Sequence, residues 1–312
     1  MINSVRNTVL SVLNKNNYGY ISPSDFNLFA LNAQMEIFEG YFDAYNKIIN
    51  AENTRSAGTD YADLEQPMSE TMEWFLRTDY LAKIAANKFS APSPATTGYY
   101  PYYILDIQCK PVILATGTNT SVSAGNLVNS SGAFLSKGII PGDIVTNLTT
   151  GLVSTVVLVV SNTTIQLSSN IFLASANSYG VFSSSTITQA EKVNNGKITL
   201  LNNSNLTAPT IQFPAYTLQG DVITMYPPAI QNKGQVECTY FRFPLPPKWT
   251  YITLTNGEPV FDQSQGDYQD FELPEEDEYK LISRILQYCG VSIRESEVTQ
   301  FSMAKEQQEQ NP

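Results

Sequence analysis

Histidine is absent from the 312-residue chain. This absence removes the commonest general base, the commonest transition-metal ligand and every nucleophilic arrangement that pairs serine or cysteine with histidine. Cysteine is scarce as well: Cys109, Cys238 and Cys289 lie far apart and form no CxxC pattern. Such cysteines indicate buried apolar side chains rather than a disulfide framework or a zinc site. The sequence therefore predicts a protein that is not an enzyme and carries no metal or other cofactor.

Basic residues are outnumbered, since 18 Lys and Arg against 29 Asp and Glu give a net charge of −11. A protein whose whole surface binds nucleic acid needs clustered Lys and Arg, so a nucleic-acid-binding protein of this kind is not expected. The most apolar run, Leu152 to Val160, has the length of one buried strand and is too short for a membrane span. The N-terminus lacks the pattern of a signal peptide. We therefore expect folding in a reducing cytoplasm and no membrane partner.

Motifs that carry chemistry are missing too, because the chain contains no GxxxxGK[ST], no GxGxxG after a strand and no GxSxG. The stretch DQSQGDYQD departs by one residue from the spacing of a calcium loop. The carboxylates between Asp270 and Glu278 are interpreted as a solvated helix N-terminus, where each contributes about 0.3–1 kcal/mol. Asp143 has no base or nucleophile near it in sequence and is interpreted as a turn residue that precedes a strand.

Helical patterns dominate both ends of the chain. Residues 2–13 have the spacing of a short amphipathic helix, and Ser22, Pro23 and Asp25 are typical of the start of a second helix that reaches about residue 50. This second helix carries two apolar stripes on nearly opposite faces, so it is expected to be covered on both sides. The cover is either its own domain or a neighbouring subunit. The stripes are Phe26, Ala30, Ala33, Ile37, Tyr41, Ala44 and Ile48, and Leu28, Leu31, Met35, Phe38, Phe42, Tyr45 and Ile49.

Two further helices are predicted. One lies in residues 69–89, around Trp74, Phe75 and Leu81. The other follows the acidic stretch and ends at Gly290. Its apolar positions are Leu281, Ile282, Ile285, Leu286 and Cys289.

The middle of the chain is almost free of charge. Between Pro111 and Ala190 only Lys137 and Asp143 are charged, although 15% of the whole chain is. Short β-prone runs alternate here with Asn, Gly and Ser turns, the pattern of a small antiparallel barrel or sandwich. Strands are also predicted at residues 99–109 and 235–243, with a hairpin turning at Gly220 and Asp221.

These patterns predict an α+β fold in which helical N- and C-terminal segments surround an antiparallel β core. The predicted domains are a connector core of residues 1–110 plus 186–312 and an inserted all-β barrel or sandwich module of residues 111–185.

The stretch YFRFPLPPKWTY, residues 240–251, begins as a strand and then places three prolines in four residues. Proline fixes φ and cannot donate to a β-ladder, so Phe243 is expected to end the strand and residues 244–247 to form a stiff connector. Phe241 and Trp249 are interpreted as anchors of that connector, with a subunit contact as the alternative. The candidate interface residues are Ile37, Phe38, Tyr41, Phe42, Phe241, Pro244, Pro246 and Trp249.

Four stretches of the chain together resemble a family of virion structural proteins from short-tailed bacteriophages of the crAss-like and related groups. They are VRNTVLSVLNKNNYGYISPSDFNLFALNAQMEIFEGYFDAY, NLTAPTIQFPAYTLQGDVITMYPPAI, YFRFPLPPKW and FELPEEDEYKLISRILQYCGVSIRESEV. The resemblance covers about three quarters of the chain and implies a head-to-tail connector, also called a collar or ring protein. The family contributes no catalytic residues.

The resemblance implies a homo-oligomeric ring, usually a dodecamer, in the neck of the virion, assembled in the host cytoplasm. Its implied partners are the portal protein, adjacent ring or tail proteins and tail fibres. DNA would pass through the channel without sequence-specific binding. The alternative function is a tail-fibre attachment or capsid decoration and adhesion protein.

Overall fold

The structure, a computed structural model, describes residues 1–14, 21–54, 70–110, 112–255 and 257–293. It has the predicted α+β fold, with helices at both ends and antiparallel sheets between them. The chain divides into two compact units, the first formed by residues 1–75 and 243–312 and the second by residues 76–242.

Besides the helical residues 70–73, five α-helices are described, of which α1, α2 and α5 belong to the first unit. They are α1 Ile2–Asn14, α2 Pro23–Thr54, α3 Pro94–Thr97, α4 Asn195–Asn202 and α5 Glu278–Ile293. The predicted start of α2 is confirmed, because the Ser22 hydroxyl accepts a hydrogen bond from the Asp25 backbone N–H at 3.1 Å. The predicted end of α5 at Gly290 is wrong, since α5 continues to Ile293. A glycine inside a helix costs only about 1 kcal/mol, which packing against α1 and α2 offsets.

The two apolar faces of α2 differ in their cover. The first stripe is buried at Phe26, Ala30 and Ile37. On the second stripe Phe38 is buried, whereas the Leu28 side chain is 55% exposed. The start of the second stripe is therefore not covered by the described part of its own chain, and cover by a neighbouring subunit stays a prediction. The predicted positions Tyr45, Ile48 and Ile49 lie outside the side chains that the structure describes.

Two sheets of the second unit enclose one hydrophobic core. Their strands are β1 Leu76–Tyr80, β2 Lys83–Ala85, β3 Lys88–Ser90, β4 Pro101–Cys109, β12 Thr188–Gln189, β13 Glu191–Lys192, β14 Ala215–Gln219, β15 Val222–Tyr226 and β16 Val236–Arg242. One sheet has the order β1-β16-β4-β12 and the other β13-β14-β15-β3-β2. Phe89, Ile107, Met225 and Tyr240 meet in the core between them. We call this pair of sheets the sandwich.

The helix predicted in residues 69–89 is wrong beyond its first turn. Residues 70–73 are helical, and the chain then enters β1, β2 and β3. β1 pairs along its whole length with β16, so that Thr78 lies opposite Thr239. Pairing with a strand about 160 residues away in sequence thus makes this segment a strand, although its apolar residues have helical spacing.

A third sheet has seven strands, all within the predicted module range of residues 111–185. They are β5 Ile113–Thr118, β6 Ser121–Ser123, β7 Asn126–Val128, β8 Ile144–Asn147, β9 Val153–Ser161, β10 Thr164–Leu167 and β11 Ser178–Phe182, in the order β5-β11-β8-β9-β10-β7-β6. This sheet has its own core around Phe134, Phe172 and Tyr179. It belongs to the second unit, and the predicted boundaries of an independent module stay a prediction.

The three cysteines are buried free thiols, as predicted. Burial raises the pKa of Cys238 and of Cys289 to about 12, and for Cys238 the nearby Asp106 and Asp79 add to the effect. Both thiols therefore stay protonated and act as small apolar groups at neutral pH.

Candidate functional site

The proline-rich stretch leaves the sheet where it was expected to leave. β16 ends at Arg242, and residues 243–249 form an extended connector. Pro244 and Pro247 are buried, whereas Pro246 is exposed. Pro244 and Pro247 have the spacing of a PxxP motif, which some domains bind as an exposed peptide. Here both prolines pack inside the protein and are not exposed to such a partner.

Two amide side chains on one face of α2 hold the backbone of this connector. Asn27 and Gln34 are seven residues apart, which is two helical turns, so they lie on the same side of α2. The Gln34 Nε2 donates to the Leu245 carbonyl oxygen at 2.8 Å. The Trp249 N–H donates to the Asn27 Oδ1 at 2.8 Å, and the Asn27 Nδ2 donates to the Trp249 carbonyl oxygen at 3.2 Å. These amides satisfy backbone groups that have no strand to pair with.

Glu272 forms hydrogen bonds with both the connector and Gln34. The Leu245 N–H donates to the Glu272 Oε2 at 2.6 Å, and the Glu272 N–H donates to the Gln34 Oε1 at 3.1 Å. The Gln34 side chain is fully buried, with 0% exposed. We call Asn27, Gln34 and Glu272 the clamp, because together they fix the connector to α2 by side-chain hydrogen bonds.

Trp249 ends the connector inside the first unit and is only 2% exposed. The Arg6 guanidinium lies 3.8 Å from the centre of its ring, and the Trp249 Nε1 donates to the Asn3 Oδ1 at 3.1 Å. The rings of Tyr251 and Phe261 stack on it at 5.6 and 5.9 Å. Tyr251 and Phe261 belong to a short hairpin, formed by β17 Tyr251–Thr253 and β18 Pro259–Phe261. Packing on two sides and a satisfied indole N–H fix this residue in place.

A second aromatic group surrounds Phe38 on α2. The Phe38 ring lies 4.9 Å from that of Phe75, 5.2 Å from that of Phe42 and 5.8 Å from that of Phe243. One turn further along α2, the Tyr41 hydroxyl donates a hydrogen bond to Asp277. Burial and the neighbouring Asp277 both raise the pKa of Tyr41, so its phenol remains a neutral donor.

The carboxylates between Asp270 and Glu278 do not all lie in solvent at the start of a helix. Asp277 is buried, and its Oδ1 lies 2.8 Å from the Lys280 Nζ. Asp270 accepts hydrogen bonds from the Ile2 N–H at 2.7 Å and the Phe271 N–H at 2.8 Å. The interpretation as a solvated N-terminus is therefore wrong for Asp270, Glu272 and Asp277, which tie chain segments together.

Asp143 is likewise a structural residue and is fully buried. Its carboxylate accepts hydrogen bonds from the Ile140 N–H at 2.9 Å and from the N–H and hydroxyl of Ser184 at 2.9 and 3.1 Å. It ties the turn before β8 to the chain that follows β11.

The eight predicted interface residues are placed as follows. Ile37, Phe38, Tyr41, Pro244 and Trp249 are buried, Phe42 and Phe241 are partly buried, and Pro246 is exposed. Seven of the eight, all except Phe241, belong to the first unit. Their role in a contact between subunits stays a prediction.

Asn27 and Gln34 are the residues of this site that the sequence pattern did not single out. The available signal was a pair of polar amides, seven residues apart, inside a helix with apolar stripes.

Within the ranges that the structure describes, no group of three or more His, Cys, Asp or Glu side chains is arranged to hold a metal ion. No described helix is both long and apolar enough to cross a bilayer. No protein-family model matches the chain, and no curated protein matches it.

Proposed function

We propose that this protein forms an oligomeric ring in the head-to-tail connector of a short-tailed bacteriophage. In this function it joins portal and tail during assembly and leaves a channel through which DNA passes. The proposal draws on the resemblance of the four stretches described above and on one structural observation.

That observation is the uncovered part of the second apolar face of α2. Leu28 is exposed, and Leu31 and Met35 are only partly buried, on the longest described helix, whose Asn27 and Gln34 bind the connector. An exposed apolar face on a rigid element is typical of a protein-protein contact. A neighbouring copy would cover this face in a ring.

The charge of the chain fits a channel protein. At −11, the net charge disfavours adsorption of DNA phosphates, so DNA would slide past the ring without being held. A salt-dependent complex between the purified ring and DNA would contradict this part of the proposal.

The test is sedimentation velocity and native mass spectrometry of the purified full chain, alone and with the portal protein of the same virus. We expect a closed oligomer that binds portal, and we expect Leu28→Asp to weaken self-association. Asn32→Asp, a change at an exposed polar position of the same helix, is the matched control and should leave assembly unchanged. A wild-type chain that stays monomeric and never joins portal would refute the proposed function.

A second candidate function is attachment of a tail fibre or decoration of the capsid. The observation that favours it is a row of exposed apolar side chains on β9, namely Val157, Leu158 and Val160, in the sheet with few charges. If deletion of residues 111–185 abolished binding to fibres or capsids while no ring formed in the intact protein, this second function would replace the first.

A further inference from the structure

One edge of the sandwich is open and apolar. β4 pairs with β16 along its length, but on its other side β12 covers only Gln108 and Cys109. The Ala190 N–H also donates to the Ile107 carbonyl oxygen at 2.8 Å, so residues 101–106 have no strand on that side within the part of the chain that the structure describes. Tyr103 and Leu105 on this stretch are 59% and 52% exposed. Proteins normally cover or charge such an edge, because it is a template for pairing with another chain.

This open β4 edge is also acidic. Two grooves, of about 360 and 270 Å³, border it and share Lys192 in their walls. Asp106 and Glu191 line the first groove, and Asp221 lines the second. Among the described residues neither Glu191 nor Asp221 forms a salt bridge. Three carboxylates thus line these two grooves, which share the ammonium of Lys192.

The opposite edge of the sandwich is open, apolar and basic. β2 pairs with β3 on one side and, within the described ranges, with no strand on the other. Its Ile84 side chain is 58% exposed. Lys83 lies on β2 and Lys88 on the adjacent β3, and neither has a carboxylate partner among the described residues.

The two edges cannot cover each other within one chain. A single residue, Ala190, joins β12 beside β4 to β13, and β13 is the first strand of the five-stranded sheet. β2 is the last strand of that sheet, four strand spacings away, or about 19 Å. Asp106 and Glu191 therefore lie beside one end of this sheet and Lys83 at the other, whereas Asp221 lies next to the end of β3, where its carbonyl oxygen accepts a hydrogen bond from the Ala91 N–H at 2.8 Å.

We propose that the β2 edge of one copy docks along the open β4 edge of a second copy. Lys83 and Lys88 then face Asp106 and Glu191, and Ile84 packs against the aromatic and aliphatic side chains of β4. The five-stranded sheet of one copy continues into the four-stranded sheet of the next. The partner is a second copy because this chain itself carries the complementary charges on its opposite edge.

This contact joins two different surfaces, so it is heterologous and repeats from copy to copy until a ring closes. The inference rests on the proposed function, in that it names the surfaces through which copies of the ring protein meet.

Charge reversal in the full chain tests the proposal. Lys83→Glu with Lys88→Glu, and separately Asp106→Lys with Glu191→Lys, should each weaken self-association by about tenfold or more, because like charges then face each other. Sedimentation velocity over a concentration series measures the change. A chain that carries all four substitutions restores opposite charges across the contact and should recover the association. Lys137→Glu with Lys197→Glu, two exposed lysines elsewhere, is the control and should have no effect.

The outcomes separate this inference from the proposed function. If wild type self-associates and both reversals leave the association unchanged, or if the fourfold variant is folded by circular dichroism but stays dissociated, the β2–β4 contact is wrong and the ring proposal stands. If the reversals act as expected but the assembly never binds portal, the contact stands and the connector function is wrong. A strictly monomeric wild type overturns both.

Discussion

Substitution of Gln34 by leucine should remove the centre of the clamp. The side chain keeps its approximate size but loses the bond to the Leu245 carbonyl at 2.8 Å and the bond from the Glu272 N–H at 3.1 Å. Both backbone groups then remain beside a fully buried position without their partner. Each of the two unsatisfied groups costs about 1–3 kcal/mol, so Gln34→Leu should lower the free energy of unfolding of the first unit by about 2–6 kcal/mol.

The measurement is urea denaturation followed by tryptophan fluorescence. The chain has two tryptophans, and Trp74 is exposed, so Trp74→Phe leaves Trp249 as the sole reporter. Because Trp249 lies at the end of the connector, its signal follows the unit in which the clamp lies. The shift in the urea midpoint, multiplied by the slope of free energy against urea concentration, gives the loss in free energy of unfolding.

Gln263→Leu is the matched control, since Gln263 is exposed and lies in the same unit. It makes the same chemical change without removing a described hydrogen bond and should alter stability by about 0.5 kcal/mol or less. If the two variants unfold at the same urea concentration, the clamp does not hold the connector and the reasoning fails.

Three further changes test other parts of the structure. Burial raises the pKa of Asp270, but hydrogen bonds from the N-terminal ammonium and the N–H groups of Ile2 and Phe271 outweigh it and lower the pKa overall. Asp270→Asn should therefore cost about 1 kcal/mol near pH 7, a modest value because a third of the side chain is exposed. The stability difference between wild type and Asp270→Asn should be complete above about pH 3.9, the pKa of an aspartate in the unfolded chain. It should disappear as the pH falls through the lower pKa that Asp270 has in the folded protein. A difference in urea midpoint that does not change with pH would contradict this prediction. Gly234→Ala should destabilise the second unit by about 2 kcal/mol or more in thermal unfolding, because φ is +70° and the new Cβ would lie 2.2 Å from the Thr146 Oγ1. Gly220→Ala, where φ is +57° and no atom lies within 4 Å, carries the backbone strain alone, so equal losses would rule out the clash. Deletion of residues 111–185 should leave a folded remainder with its near-ultraviolet circular dichroism, whereas complete loss of solubility would mean that the seven-stranded sheet is integral to the second unit.

The sequence correctly predicted those elements that depend only on residues close to each other in the chain. Ser22, Pro23 and Asp25 placed the start of α2 correctly, because a cap acts within one turn. Gly220 and Asp221 placed the hairpin of β14 and β15, since the turn alone sets the register of its strands. The scarcity of charge marked the range in which the seven-stranded sheet lies.

Elements that depend on distant partners were not predictable in this way. β1 has helical spacing around Phe75 and Leu81, and it is a strand because β16 pairs with it. Gln34 is an ordinary helix residue by propensity, and its role depends on Leu245 and Glu272, more than 200 residues away. A single sequence contains no record of such contacts, so the clamp could be found only in the folded chain.

The seven-stranded sheet is stabilised almost without ionic interactions. Apart from Asp143, its buried polar groups pair as neutral dipoles, as when the Asn129 Nδ2 donates to the Tyr179 hydroxyl and the Asn147 Nδ2 to the Ile171 carbonyl oxygen, both at 2.8 Å. Dissolved salt screens charges over about 10 Å at 0.1 M but has little effect on neutral hydrogen bonds or apolar burial. This part of the protein should therefore keep the same stability from dilute buffer to sea water, while contacts that depend on Lys and Glu weaken.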